Sequence, residues 1–76
     1  MQVFNFDQLE DAIRTAMKLS DVKTKTVAIG IGMSESGLNS FKSGKTHVSA
    51  ATGNKIIDWF KVNDPDALAK GFMLLG

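Results

Sequence analysis

Apolar residues recur along the start of the chain at the spacing of one helix face. Successive steps of three, four, three and one residues connect Phe6, Leu9, Ile13, Ala16 and Met17. This spacing follows the 3.6-residue period of an amphipathic α-helix. It predicts a first helix over residues 6–19, which ends where Ser20 and Asp21 interrupt the pattern.

The second apolar run is short, and its local pattern fits two structures. Residues 27–31 alternate as in a strand, but Val27, Ala28 and Ile31 also lie on one side of a helix over residues 25–31 that Thr24 can cap. A glycine at position 30 costs about 1 kcal/mol in a helix interior. The local pattern therefore leaves helix and strand open.

Three further helices are predicted from their caps and apolar positions. Ser34 begins a helix over residues 34–42, which the glycine at position 44 ends. Ser49 begins a helix over residues 49–60. The run Asp-Pro-Asp at residues 64–66 is a sharp start signal for a last helix over residues 65–74, because proline is favoured at the first helical position. Five short helices without a confident strand predict one compact all-α domain.

A longer pattern, over the twenty positions from Thr24 to Ser43, matches two helices that cross at a steep angle. Such a pair needs a small residue where the helices touch, a glycine at the turn and apolar residues toward the core. These constrained positions are filled by Val27, Ala28, Ile31, Gly32, Met33, Leu38 and Phe41. The pattern favours helix over strand for residues 27–31 and predicts a helix-turn-helix.

The run VAIGIGMSESGL at residues 27–38 resembles the motif of lambda-repressor-like domains, the group of phage repressors, Cro proteins and many bacterial regulators. The resemblance extends over roughly residues 6–74, and residues 25–68 are also loosely similar to phage CII-type activators. It implies a five-helix domain that binds DNA as a symmetric dimer, with the second helix of the motif, the recognition helix, in the major groove. The chain departs from the family at Glu35, where DNA-binding members commonly have Gln, Arg or Lys.

The net charge of the chain is only +1, but it is unevenly distributed. Residues 22–55 carry five lysines and a single acid, whereas the segments on either side are net negative. A local excess of positive charge attracts phosphate even when the total is small. A solvated basic face without any partner gives the same pattern, so the charge alone leaves both interpretations open.

The candidate site residues fall into three groups. Polar residues on the open side of the recognition helix are predicted to contact base edges: Ser34, Glu35, Ser36, Asn39 and Ser40. Residues near the ends of the two motif helices are predicted to contact phosphates: Thr24, Lys25, Lys42, Ser43, Lys45, Thr46 and His47. Apolar residues of the last helix exceed what one face can bury and are predicted to contact a second copy or a partner: Leu68, Phe72, Met73 and Leu75.

Each group also has a structural interpretation. Ser34 and Glu35 suit the start of any helix, and Asn39 suits any surface. The lysine-containing loop after the recognition helix is also typical of a solubilising loop. The apolar end of the chain is also typical of a frayed tail.

The composition argues against several classes of function. The chain has no cysteine and a single histidine, His47, so we expect no disulfide, metal site, cofactor or catalytic centre. No apolar run is long enough to span a membrane, and the first residues lack the layout of a signal peptide, so we expect a cytoplasmic location. The resemblance implies a bacterial host.

The leading hypothesis is a phage or bacterial transcriptional regulator that binds a double-stranded DNA operator as a homodimer and has no small-molecule substrate. The alternative is an anti-repressor or co-repressor that uses the same fold to bind another phage regulator. The low net charge, Glu35 and the apolar last helix favour the alternative.

Overall fold

The computed structural model describes residues 6–74, and every regular element in that range is an α-helix. The helices are α1 (Phe6–Leu19), α2 (Thr24–Ile31), α3 (Glu35–Lys42), α4 (Ala50–Asn63) and α5 (Pro65–Met73). The predicted all-α class is confirmed, and residues 27–31 are helical. Within this range no helix combines the length and the apolar composition that crossing a membrane requires.

Three of the predicted helix starts are capped as their residue types indicate. The side chains of Ser34, Ser49 and Asp64 each accept a hydrogen bond from a backbone N–H three residues on. Ser34 and Ser49 occupy the cap positions, so α3 and α4 begin one residue later than predicted. Pro65 takes the first position of α5, where its missing N–H costs nothing.

Other predicted boundaries were wrong by one to three residues. Thr24 is the first residue of α2 rather than its cap, because Lys23 takes the cap position in an extended conformation. The fourth helix continues to Asn63 instead of ending at residue 60, since nothing before Asp64 interrupts it, and the Asn63 side chain donates to the Trp59 carbonyl at 2.8 Å. The last helix ends at Met73, one residue earlier than predicted.

The turn between α2 and α3 has the geometry that its sequence predicts. Gly32 adopts the left-handed conformation, with φ at 75°, which favours glycine. The N–H of Met33 then returns to the Ala28 carbonyl at 2.9 Å, closing the end of α2. The predicted turn glycine is confirmed, and α3 follows α2 after three residues.

All five helices contribute to one core. Its largest fully buried apolar side chains come from α1 to α4: Ile13, Val27, Leu38, Phe41, Ile56 and Phe60. The last helix packs along α1 so closely that a Cβ at Gly71 would overlap the backbone carbonyl of Ala12. This tight contact holds α5 against the domain and buries Leu68, which is 8% exposed.

Candidate nucleic-acid interface

The start of α3 presents a polar face on the surface of the domain. Ser34, Glu35, Ser36 and Asn39 are exposed and Ser40 is half-buried. Leu38 and Phe41, on the other side of the same helix, are fully buried and hold it against the core. Four of the five residues predicted to contact bases thus lie on one short helix that the core supports from behind, and the fifth, Ser34, is its cap. The Ser34 hydroxyl oxygen already accepts from the N–H of Gly37 at 3.2 Å, so its acceptor function serves the helix cap.

A depression of about 510 Å³ borders this face, and we call it the lysine depression. It is lined by Lys18, Asn39, Ser40, Lys42, Ser43 and Lys45. Three ammonium groups thus share one concave surface with two hydroxyls and an amide. No acidic side chain lines it. Such a set of donors without a competing carboxylate suits an anion, and phosphate oxygens in particular.

The structure brings some of the predicted phosphate-contacting residues together at the depression and leaves Lys25, Thr46 and His47 outside it. Lys42 lies at the end of α3, and its ammonium reaches the Thr24 hydroxyl oxygen at the start of α2, with a separation of 3.5 Å. Ser43 and Lys45 line the depression with it. Lys25 is exposed near the start of α2 but does not line the depression.

Arg14 of α1 fixes the loop that follows α3. Its Nε donates to the Phe41 carbonyl at 2.7 Å, and a terminal guanidinium nitrogen donates to the Thr46 carbonyl at 2.9 Å. The guanidinium also lies over the Phe41 ring, 4.5 Å from its centroid. Thr46 is therefore held through its backbone, which leaves its exposed side chain uncommitted by these contacts.

A buried acid holds the same loop one turn earlier along α1. Glu10 is only 1% exposed, and its carboxylate accepts from the Val48 N–H at 3.1 Å and from His47 Nδ1 at 2.9 Å. An ionised carboxylate can only accept, so His47 must carry the proton on Nδ1. The imidazole itself is largely exposed. These contacts orient His47 beside the loop while leaving its outer edge accessible.

The pKa of the Glu10 carboxyl lies below its usual value of 4.5. Burial acts to raise this pKa, but the hydrogen bonds from His47 and Val48 stabilise the ionised form and lower it. The charges of His47 and Arg14 lower it further. Glu10 is therefore a charged group inside the domain whose hydrogen bonds offset its burial.

The residues predicted to contact a second copy occupy different environments. Leu68 belongs to the core, and we correct its assignment, because a residue buried under α1 has no surface to offer a partner. Phe72 is half-buried against the core, whereas Met73 is 76% exposed. Leu75 lies outside the described residues.

Three residues of α1 that border the site were not predicted: Glu10, Arg14 and Lys18. Each lies four residues from the next, so together they follow one side of the helix. That spacing was a usable signal for a common face, but nothing local indicated that this face meets residues 39–48.

No protein-family model, curated protein sequence or solved structure matches this chain. Among residues 6–74, no group of three or more His, Cys, Asp or Glu side chains is placed to hold a metal ion. The assignment of function therefore depends on the geometry and charge of the surface.

Proposed function

We propose that this chain is a non-enzymatic transcriptional regulator that binds double-stranded DNA with α3 in the major groove. The observation that carries the proposal is the lysine depression directly beside the exposed polar face of α3. A recognition helix needs donors and acceptors for base edges and, next to them, cations for the flanking phosphates. Both are present within residues 34–45, on a helix–turn–helix supported by the core.

In this proposal the polar face of α3 and the lysine depression contact different parts of the DNA. Lys18, Lys42 and Lys45 neutralise phosphates and supply most of the affinity, which is independent of sequence. Asn39 pairs with adenine through its amide, and Glu35 accepts from the amino group of cytosine. The specificity then depends on α3 and the affinity on the depression.

The proposal includes membership of the lambda-repressor-like group, which the motif at residues 27–38 resembles, and action in the cytoplasm of a bacterial host. In that group the operator is palindromic and the protein binds it as a dimer. The short turn between α2 and α3 and the left-handed Gly32 support the resemblance.

Fluorescence anisotropy with labelled duplex DNA at a series of salt concentrations tests the role of the depression. We expect the logarithm of the association constant to fall linearly with the logarithm of the salt concentration. Lys45→Ala should reduce that slope by about one unit, and Lys18→Ala should do the same, because each removes one phosphate contact. Lys70→Ala is the matched control, since Lys70 is an exposed lysine of α5 that does not line the depression. Binding that does not respond to salt, or equal effects of all three changes, would contradict the proposal.

A second candidate function is binding to another phage regulator and modulating it. The exposed apolar side chains of Ile29, Val62 and Met73 favour it, because they offer surface to a protein rather than to DNA. A gel-shift assay on the neighbouring intergenic DNA, with and without the adjacent regulator, separates the two functions. A shift by this chain alone supports DNA binding, and an effect only on the other protein's shift supports modulation.

A further inference from the structure

A second depression, of about 440 Å³, lies between α2 and α4, and it shares no lining residue with the lysine depression. We call it the α2–α4 groove. Its apolar part consists of Ile31, Trp59 and Val62, with the Trp59 indole lying directly over Gly30. Its polar part consists of Lys55, Asp58 and Asn63.

Four of these residues form a stripe along α4. Lys55, Asp58, Trp59 and Val62 follow one another at steps of three, one and three residues, which places them on one side of the helix. Val62 is 83% exposed, the most exposed of the large apolar side chains in the described part of the chain. Val62 and the half-buried Trp59 lie one turn apart on α4, so together they offer continuous apolar surface at the groove.

The polar groups of the stripe have no partners within residues 6–74. Neither Lys55 nor Asp58 forms an ion pair there, and the Trp59 indole N–H donates to no acceptor. The stripe therefore offers a cation, an anion, a hydrogen-bond donor and apolar surface at the same time.

We infer that two copies of this chain associate through the α2–α4 groove, with their α4 helices antiparallel about a two-fold axis. In a two-fold contact each surface must complement itself. An axis passing between Asp58 and Trp59 places Lys55 beside the partner's Val62. The methylene stem of Lys55 covers that apolar side chain, and its ammonium reaches the partner's Asp58, which lies about 6 Å further along the helix.

A second copy satisfies this surface better than a peptide or a protein patch carrying one sign of charge. Such a partner would pair with either Lys55 or Asp58 and leave the other opposite a like charge or unpaired. A copy forms the Lys55–Asp58 pair twice, once on each side of the two-fold axis. This inference rests on the dimer that the proposed function includes and adds the surface through which it forms. Because the association requires no DNA, it is tested separately from DNA binding.

Sedimentation equilibrium without DNA, at chain concentrations up to about 1 mM, tests whether the pair forms, since contacts of modest area give weak dimers. We expect a monomer–dimer equilibrium, and Val62→Glu should weaken it by about tenfold or more. Met73→Glu tests the last helix as the competing interface, because Met73 is 76% exposed on α5. Leu19→Glu is the control, because Leu19 is exposed on α1 and does not line the groove. A monomer at every concentration overturns the inference, and so does a dimer that Met73→Glu disrupts while Val62→Glu does not.

A charge exchange tests the antiparallel arrangement independently. Lys55→Asp and Asp58→Lys should each dissociate the dimer, because each variant brings like charges together across the axis. Mixing the two variants should restore a dimer, since each copy then faces opposite charges at both positions. Both side chains are exposed, so neither change disturbs the fold. Variants that dimerise like the original chain, or a mixture that stays monomeric, would overturn the arrangement.

Discussion

Glu10 is the residue whose environment most constrains the domain. A carboxylate that is only 1% exposed is costly unless hydrogen bonds replace its lost water, and here the Val48 N–H and His47 do so. The pairing joins the middle of α1 to the segment just before α4. This buried charge therefore fixes the path of the loop that follows α3 together with Arg14.

Replacing Glu10 by glutamine tests this contribution through its pH dependence. A carboxyl whose pKa is lowered by folding stabilises the folded state above the usual value of 4.5, and that stabilisation is lost as the pH falls through the lowered pKa. We expect Glu10→Gln to reduce the free energy of unfolding at pH 7 by about 1 kcal/mol. The difference from the original chain should shrink as the pH falls from 4.5 through the lowered pKa, because the original carboxyl becomes neutral over that range. Urea denaturation at several pH values measures it.

Asp7→Asn is the control for that experiment, since it removes the same charge from an exposed position of α1. Its effect on stability at pH 7 should be small, because the side chain is exposed. If Glu10→Gln behaved like Asp7→Asn across the whole pH range, the carboxylate would not be the group that holds the loop.

At the scale of the elements, Arg14 connects three parts of the site. It bonds to the end of α3 through the Phe41 carbonyl and to the loop through the Thr46 carbonyl, and it lies over the Phe41 ring. A lysine keeps the charge but lacks the planar fork that serves two carbonyls at once. We therefore expect Arg14 to hold the loop after α3 in place rather than to stabilise the hydrophobic core.

Arg14→Lys should loosen residues 43–48 and leave α1 and α4 intact. We expect the amide protons of that loop to exchange faster with solvent, and the free energy of unfolding to fall by about 1–2 kcal/mol because carbonyl hydrogen bonds are lost. Hydrogen–deuterium exchange measured residue by residue gives the result. A uniform acceleration over the whole domain would show instead that Arg14 acts through global stability.

The close contact between α1 and α5 predicts that a Gly→Ala and an Ala→Gly substitution at two positions of α5 both lower the stability of the domain. Gly71→Ala should destabilise the domain by about 1–3 kcal/mol, because the new methyl group overlaps the Ala12 carbonyl, even though alanine is the better helix former. Ala69→Gly, at an exposed position of the same helix, should also destabilise it, by about 1 kcal/mol. Thermal unfolding followed by circular dichroism compares them. A stabilising Gly71→Ala would mean that the helices are not in close contact.

The elements with local signals were predictable, and the features that depend on distant residues were not. The cap at Asp64, the proline after it and the turn at Gly32 act within a few positions, so the pattern indicated them correctly. Burial of Glu10 depends on residues about forty positions away, and it resembled any acid on an amphipathic helix. Leu68 was assigned to a surface because only the packing against α1 shows which part of the apolar last helix is covered.

At the scale of the whole molecule, the arrangement of charge matters more than its total. The net charge of +1 gives little long-range attraction, but salt at 0.15 M already screens exposed charges beyond about 8 Å. Within that distance, a phosphate in the lysine depression meets three lysines and no lining acid. This is why a nearly neutral chain is compatible with binding to DNA, and why its affinity should depend on contact geometry rather than on steering.

Selection from a pool of randomised DNA duplexes tests how affinity and specificity are divided over the molecule. We expect the original chain to select a palindrome with half-sites about 10 base pairs apart, and Asn39→Ala to alter the preferred bases with little change in the salt dependence, since base contacts release few counterions. Lys45→Ala should weaken binding to all sequences about equally and keep the selected bases. A change of preferred bases in Lys45→Ala but not in Asn39→Ala would place the base-reading surface in the loop after α3 instead of on the helix.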